Sequence, residues 1–236
     1  MQAPFFYTDS YLQGITTLLL DEENSRHAVQ VLRLTKGAQI LLTDGKGHLL
    51  SATIIDDHRK HCQVSIESVA FFPRSVKQVT LAISLLKNRN RFEWLLEKIT
   101  ELGVTRIIPL RCARTEKESA RMDRMEAVLI SALLQSRQVW LPELKDPVNF
   151  TSIRDWKLST GSNFIAYCEE VSKKPLGESI SSAAAQRLIC IGPEGDFTSE
   201  EFTQALDENF IAVSLGNTRL RTETAGVAAV SLLCLS

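Results

Sequence analysis

The sequence has no apolar run long enough to cross a bilayer. Its longest, residues 225–235, is interrupted by Gly226 and Ser231, whereas a spanning helix needs about 20 residues. The amino terminus, Met1-Gln2-Ala3-Pro4-Phe5-Phe6, has no basic region ahead of an apolar core, so no secretory signal is expected. Cysteine is sparse: the five residues Cys62, Cys112, Cys168, Cys190 and Cys234 are odd in number, scattered, and without metal-ligand spacing. They read as buried free thiols of a cytoplasmic protein. His58 and His61 lie in an all-polar segment that reads as a solvated turn, so no metal is expected. No Gly-Lys-Ser/Thr follows the glycine loops and neither is Gly-x-Gly-x-x-Gly, which argues against a nucleoside triphosphate or standard dinucleotide site. Repeats and low-complexity segments are also absent.

What is present is ordinary in bulk and uneven in detail. The chain has 236 residues, 44% hydrophobic and 23% charged, which suits one large domain or a small domain plus a medium one. Net charge is −1, yet residues 74–124 hold 12 Lys/Arg against 6 Asp/Glu, a local excess of six. Such a cluster is either a phosphate-binding face or a solvated surface paired with acids elsewhere.

Residues 1–72 read as a small β-rich domain. Alternating runs at 39–43, 48–55 and 63–69 are separated by turn signals, with Asp44-Gly45 as a hairpin cue. Phe71-Phe72-Pro73-Arg74 reads as a linker. From there to residue 236 strands alternate with helices: strand runs at 79–86, 106–110, 163–168, 187–191 and 210–215, and helices over Phe92–Leu102 spacing and over 122–139. Phe92, Leu95, Leu96, Ile99 and Leu102 share one helix face that stops at Gly103. This alternation predicts a parallel α/β sheet.

Two glycine-bearing loops each follow a buried-strand run and precede a helix. The first is Gly192-Pro193-Glu194-Gly195-Asp196-Phe197; the second runs from Leu215-Gly216 to Arg219-Leu220-Arg221-Thr222-Glu223-Thr224. Thr198 and Glu201 have capping-box spacing, with Phe197 and Phe202 at the staple positions. Ligands of open α/β sheets sit at the carboxyl ends of strands, where such loops lie. Each loop can also be read without a ligand, the first as a tight turn and the second as an N-capping turn with solvated arginines.

Taken together, these two loops resemble the bacterial 16S ribosomal RNA uridine-N3 methyltransferases of the SPOUT superfamily. Three further segments resemble that family's motifs: His27-Ala28-Val29-Gln30-Val31-Leu32-Arg33-Leu34, Arg91 through Val104, and Gln135-Ser136 with Leu141-Pro142-Glu143-Leu144. The resemblance covers most of the chain. It implies a PUA-like RNA-binding β-barrel over residues 1–72 and an α/β methyltransferase domain with a deep trefoil knot over residues 73–236. It also implies S-adenosyl-L-methionine as cofactor and an obligate homodimer packed through Ala225, Gly226, Ala228 and Ala229. By the same likeness, Gly192, Glu194, Gly195, Leu215, Gly216, Leu220 and Arg221 would hold the cofactor.

The implied substrate is 16S ribosomal RNA or the small ribosomal subunit. Arg221 would contact the uracil or its phosphate, and Glu223 or Glu194 would take the N3 proton, unless both acids cap helix amides. Arg26, Arg33, Lys87, Arg89 and Arg91 are the expected phosphate contacts. Two residues depart from the family pattern: Asp196 stands where many relatives have Gly, and Ala113 where many have Glu. The competing readings are a ribose 2′-O-methyltransferase of the same superfamily and a non-catalytic RNA-binding or assembly protein.

Overall fold

Period-two alternation becomes strand pairing along the first part of the chain. The computed structural model describes residues 3–116, 120–168, 173–181 and 184–235. Strands β1 (Phe5–Tyr7), β2 (Thr17–Leu19), β3 (Gln39–Thr43), β4 (His48–Asp56) and β5 (Gln63–Phe71) form one sheet in the order β1-β3-β4-β5-β2. β1 runs parallel to β3 and the other pairings are antiparallel. The inward members of the alternation, among them Ile40, Leu42, Leu50, Ile54 and Val64, are buried with Phe6, Leu18 and Leu20. The expected hairpin joins β3 to β4, with Gly45 at φ +67° and Gly47 at φ +98°, a region closed to most side chains. Helix α1 (Glu22–Arg26), N-capped by Asp21, runs directly into a π-helical turn at His27–Val31.

Contacts divide the chain into two units, Met1–Arg74 with Leu133–Leu141, and Ser75–Ala132 with Pro142–Ser236. The first unit therefore includes a segment from far along the chain. The helix expected over 122–139 ends at Gln135, because Arg137 turns left-handed at φ +55°. The residues after it pack on the β3–β4 hairpin: Gly47 N donates to Val139 O at 2.8 Å and Leu141 N to Gly45 O at 2.8 Å.

In the second unit the strands are β6 (Gln78–Ser84), β7 (Arg106–Arg111), β8 (Glu143–Leu144), β9 (Val148–Asn149), β10 (Ser162–Ala166), β11 (Lys174–Pro175), β12 (Gln186–Ile191) and β13 (Ile211–Ser214). All pairings are parallel, in the order β11-β13-β10-β12-β6-β7-β8, with β9 also on β7. The five expected strands are present. β8, β9 and β11 are two-residue pairings too short to leave a periodic signal. The helices are α2 (Arg89–Glu101), α3 (Met122–Gln135), α4 (Ile153–Trp156), α5 (Leu176–Ser179), α6 (Ser199–Asp207) and α7 (Thr222–Leu235). α2 buries the expected Phe92, Leu95, Leu96 and Ile99, and the chain turns at Gly103 with φ +88°.

Two contacts hold α7 in place, and with it the loop that leads into it. A Cβ built on Gly226 would lie 2.8 Å from Leu95 Cδ1 and 2.9 Å from Ile83 Cδ1, so the helix lies directly on α2 and β6. At its other end, buried Arg187 of β12 donates from Nη1 to Leu233 O at 2.8 Å, a cation at a helix C-terminus. Gly226 and Ala229 are thus used inside the chain rather than on a partner; the reason is that α7 must approach the sheet closely.

The cysteines correct one expectation. Cys62, Cys112 and Cys190 are buried and Cys234 is partly so, but Cys168 is exposed, because it lies beyond the end of β10. Burial pushes the Cys112 thiol up to about 12, and those of Cys62 and Cys234 up to about 11. Among the described residues no helix is long and apolar enough to cross a membrane.

Gly226→Val should destabilise the fold by about 1–3 kcal/mol through overpacking against Leu95 and Ile83. Urea unfolding reads this as a lower midpoint at unchanged slope. A midpoint equal to that of the parent would show that α7 has slack over the sheet.

Candidate active site

Parallel pairing of β10 with β12 on one side and β13 on the other brings three strand ends together. The loop after β12 carries Gly192-Pro193-Glu194-Gly195, and the loop after β13 carries Leu215 to Arg221. Both border a cleft of about 760 Å³, together with Tyr167 and Cys168 just past β10, Lys173 just before β11 and Arg91 from α2. That volume falls within the range of about 300–1,000 Å³ usual for small-molecule sites.

Each loop is fixed by a distinct device. In the first, Asp196 takes the left-handed conformation at φ +63°. Its Oδ1 accepts from Phe197 N and its Oδ2 from Cys168 N, both at 2.8 Å, which ties the glycine loop to the end of β10. Phe197 is buried against Phe150, and the capping box of α6 forms as expected, with Thr198 and Glu201 exchanging backbone hydrogen bonds. Glu201 does more: its Oε1 also accepts from Ala113 N at 2.7 Å, anchoring the segment after β7. In the second loop, Gly216 stands at φ +135° with no atom within 4 Å of a built Cβ. Its backbone is therefore open to the cleft in a conformation that L side chains rarely adopt.

The expected site residues divide accordingly. Gly192, Glu194, Leu215, Gly216, Leu220, Arg221 and Glu223 all line the cleft. Gly195 sits in the same loop but outside that lining; a Cβ there would meet Arg114 Cδ at 3.2 Å, and Arg114 Nη1 donates to Gly195 O at 2.6 Å. Glu223 is 7% exposed in the first turn of α7, and Arg91 Nε lies 3.6 Å from its carboxylate. Glu194 and Arg221 are exposed. Lys87 is exposed and paired with Glu116 at 2.7 Å, which raises the pKa of its ammonium, and Arg89 is exposed at the start of α2. Arg26 and Arg33 are exposed in the first unit, Arg33 at φ +54°.

Tyr167, Cys168 and Lys173 were not singled out from sequence. Tyr167 stacks on Phe202 at 4.0 Å between ring centroids, and Lys173 Nζ donates to Tyr167 O at 2.7 Å. The one signal that could have found Tyr167 and Cys168 is position, since the strand run at 163–168 ends beside both loops in any sheet that orders β12-β10-β13; Lys173, ahead of the two-residue β11, left none. Cys168 has its thiol pKa raised by burial first and by the neighbouring Asp196 second, so at neutral pH it is a neutral, accessible group on the cleft wall.

Comparison with known proteins gives this geometry a family. The RNA methyltransferase domain pattern matches residues 73–234, and the RNA methyltransferase PUA domain pattern matches residues 20–67. The ribosomal RNA small subunit methyltransferase E of a Synechocystis strain is 31% identical over 220 residues, covering 91% of this chain and 72% of that one. A probable rRNA-methyltransferase from Porphyromonas gingivalis superimposes with a TM-score of 0.90 at 32% identity, covering 96% of this chain and 95% of the other. The ribosomal RNA small subunit methyltransferase E of Neisseria gonorrhoeae, solved bound to S-adenosyl methionine, gives a TM-score of 0.87 at 31% identity over 98% of this chain and 96% of its own. The antiparallel sheet and the parallel α/β unit are thus PUA-like and SPOUT-like respectively. By sequence and by fold alike, the chain belongs to the ribosomal RNA small subunit methyltransferase E family.

Proposed function

We propose that this protein transfers a methyl group from S-adenosyl-L-methionine to N3 of a uridine in the RNA of the small ribosomal subunit. The observation that carries this reading is the joining of both glycine loops into one cleft at the carboxyl ends of β10, β12 and β13. The cleft fits such a cofactor: it has the volume, an open left-handed glycine at Gly216, and apolar walls at Ile191, Val213 and Leu220. When bound, the cofactor supplies an electrophilic methyl group that is already activated, so the protein's task is positioning and proton removal.

Gly192, Glu194, Leu215, Gly216, Leu220 and Arg221 hold the cofactor in this proposal, with Gly195 shaping the loop through its contact with Arg114. Three carboxylates among the described residues line the cleft, and they are not equivalent. Asp196 has both oxygens occupied by backbone N–H groups. Glu223 faces Arg91 from the first turn of a helix, two features that hold its side chain in place. Glu194 is the exposed one, and we assign it the N3 proton; Glu223 instead orients Arg91. Arg221 meets the negative charge that develops on the uracil as the proton leaves. Arg26, Arg33, Lys87, Arg89 and Arg91 contact phosphates. The target base is splayed from its stack to enter the cleft.

A homodimer completes the proposal. Trp94 of α2 and Leu232 and Leu235 of α7 are exposed apolar side chains on two helices that pack together, the kind of surface a partner covers. Its setting is cytoplasmic, where ribosomal subunits are assembled.

The direct test is nucleoside mass spectrometry of small-subunit RNA treated with protein and cofactor. N3-methyluridine is expected; a 2′-O-methylated nucleoside would give the reaction to the ribose instead, and no product together with no cofactor binding would make the protein an assembly factor. Sedimentation at micromolar concentration should give twice 26.4 kDa, and a single 26.4 kDa species would reject the dimer. Gly216→Val should abolish cofactor binding in a folded protein, by forcing a β-branched residue into φ +135° at the cleft. Normal titration of cofactor into that variant would reduce Gly216 to a turn residue. Glu194→Gln leaves the loop backbone that holds the cofactor in place, so it should lower kcat by about 10²–10⁴ with cofactor affinity retained, the loss expected for a general base. Arg221→Ala should cost about 10²–10³ in kcat, as for one preorganised donor. If Glu223→Gln alone produced the kcat loss, the proton would belong to Glu223.

A further inference from the structure

The first unit carries a row of rings that starts at Tyr11 on the edge of its core and runs outward from it. Tyr11 lies 5.4 Å from His48 between ring centroids, His48 5.2 Å from Phe71, and Phe71 6.2 Å from Trp140 in an edge-on contact. The Arg74 guanidinium sits 5.2 Å over the Trp140 ring. Four separate segments contribute, the last from the chain's return at 133–141, so the row is assembled by the fold and not by a local motif.

The row is also held rigid. Buried Asp44 accepts from the backbone N–H groups of Lys46 and His48, and its Oδ2 lies 2.7 Å from His48 Nδ1, which sets the imidazole plane. Trp140 Nε1 donates to Phe72 O at 2.9 Å. Gly47 lies directly beneath: a Cβ there would come 2.6 Å from Trp140 Cζ2 and 2.9 Å from Phe71 Cε2. A glycine at φ +98° is therefore what lets two rings close over the hairpin.

The Phe71 end of the row faces outward, while Tyr11, His48 and Trp140 are half-buried. β5 alternates at its start but is exposed at every residue from Glu67 to Phe71, and Phe71 and Phe72 are 58% and 47% exposed. Its edges are cationic, with Arg74 over Trp140 and exposed Lys46 bridged to Trp140 on the adjoining strand. Fixed aromatic faces with a basic rim suit nucleobases bearing phosphates, since every base offers a π-face and each phosphate a negative charge.

We propose that Phe71, backed by His48 and Trp140, forms a stacking platform for unpaired nucleotides of the RNA, at residues that do not line the methyl-transfer cleft. The platform rests on the reading of the protein as an RNA methyltransferase and names how its first unit grips single-stranded RNA. Rings of this kind bind without base specificity, so the platform sets affinity and leaves the choice of target base to the cleft.

The test is the affinity of a fluorescent oligouridine and of an RNA duplex of equal length for four proteins: the parent, Phe71→Ala, Phe71→Leu and Phe71→Tyr. Phe71 is exposed, so its variants keep the fold, which circular dichroism checks. Phe71→Ala and Phe71→Leu should each weaken oligouridine binding by about tenfold or more, Phe71→Tyr should retain it, and duplex binding should not change. The slope of affinity against salt should stay that of the parent, because no phosphate contact is lost. Parent-like affinity in Phe71→Ala, or full affinity in Phe71→Leu, overturns the platform, the latter by showing a merely apolar contact. A Phe71→Ala protein that sediments differently from the parent also overturns it and gives this face to a second copy of the chain. Methylation by the parent is read separately: if it methylates the RNA while Phe71→Ala binds oligouridine normally, only the platform fails; if ring-dependent binding holds without methylation, only the enzymatic reading fails.

Discussion

The parallel pairing of β10 between β12 and β13 is the constraint on which the site depends. Loops far apart in sequence become neighbours only because their strands flank a third one, and parallel strands place all three exits at one edge. Packing then fixes the exits. Phe197 anchors the first loop in the core beneath it, while Gly226 and Arg187 seat α7, whose first turn presents Glu223. A helix seated at both ends cannot adjust to a misplaced side chain, so the close packing under α7 and the geometry of the cleft are one requirement.

The charges of the site follow from where each carboxylate sits. Backbone amides hold Asp196, Arg91 faces Glu223 in the first turn of α7, and Glu194 is exposed on the turn that borders the cleft. The basic excess of residues 74–124 has a mixed fate. Arg124 is paired with Glu93 and Lys87 with Glu116, acids already counted in that excess, whereas Arg106 is committed to Glu143 outside the segment and so reduces the excess itself. Arg89 remains exposed at the head of α2, and the exposed part of Arg91 lies on the cleft.

Much of this was legible in the residues. The two-residue period of β3 to β5, the 3.6-residue spacing of α2, the continuous apolar runs of β6 and β7, the Asp44-Gly45 hairpin and the Thr198–Glu201 capping box are local signals, and local hydrogen bonding and burial enforce them. The three two-residue pairings left no trace, since two residues make no period. The end of α3 was overrun because the apolar residues continue past Gln135, and the left-handed turn at Arg137 has no glycine to announce it. Strand order was beyond periodicity altogether and is seen only in the folded sheet. The same holds for Gly195, whose neighbour Arg114 is distant in sequence, and for the ring row, which needs the return of Trp140.

The departure at Asp196 shows how the backbone sets the residue choice. The turn after Pro193 closes with Asp196 N donating to Pro193 O at 2.9 Å, and this closure carries φ to +63°. Glycine would meet that demand without cost, whereas a non-glycine residue there costs about 1–3 kcal/mol. Aspartate is among the side chains that tolerate the region, and here it bonds two backbone N–H groups. Hydrogen bonds to a charged group contribute about 1.5–3 kcal/mol each, so the pair offsets the strain. The exchange is not neutral for the site. Glycine leaves the loop tied to β10 only by packing, whereas Asp196 ties it to Cys168 by a direct bond and adds a carboxylate to the cleft wall. Ala113 is the complementary case. With no carboxylate of its own, its backbone N–H is met by Glu201 from α6, so the segment after β7 stays attached to the helix that begins where the glycine loop ends.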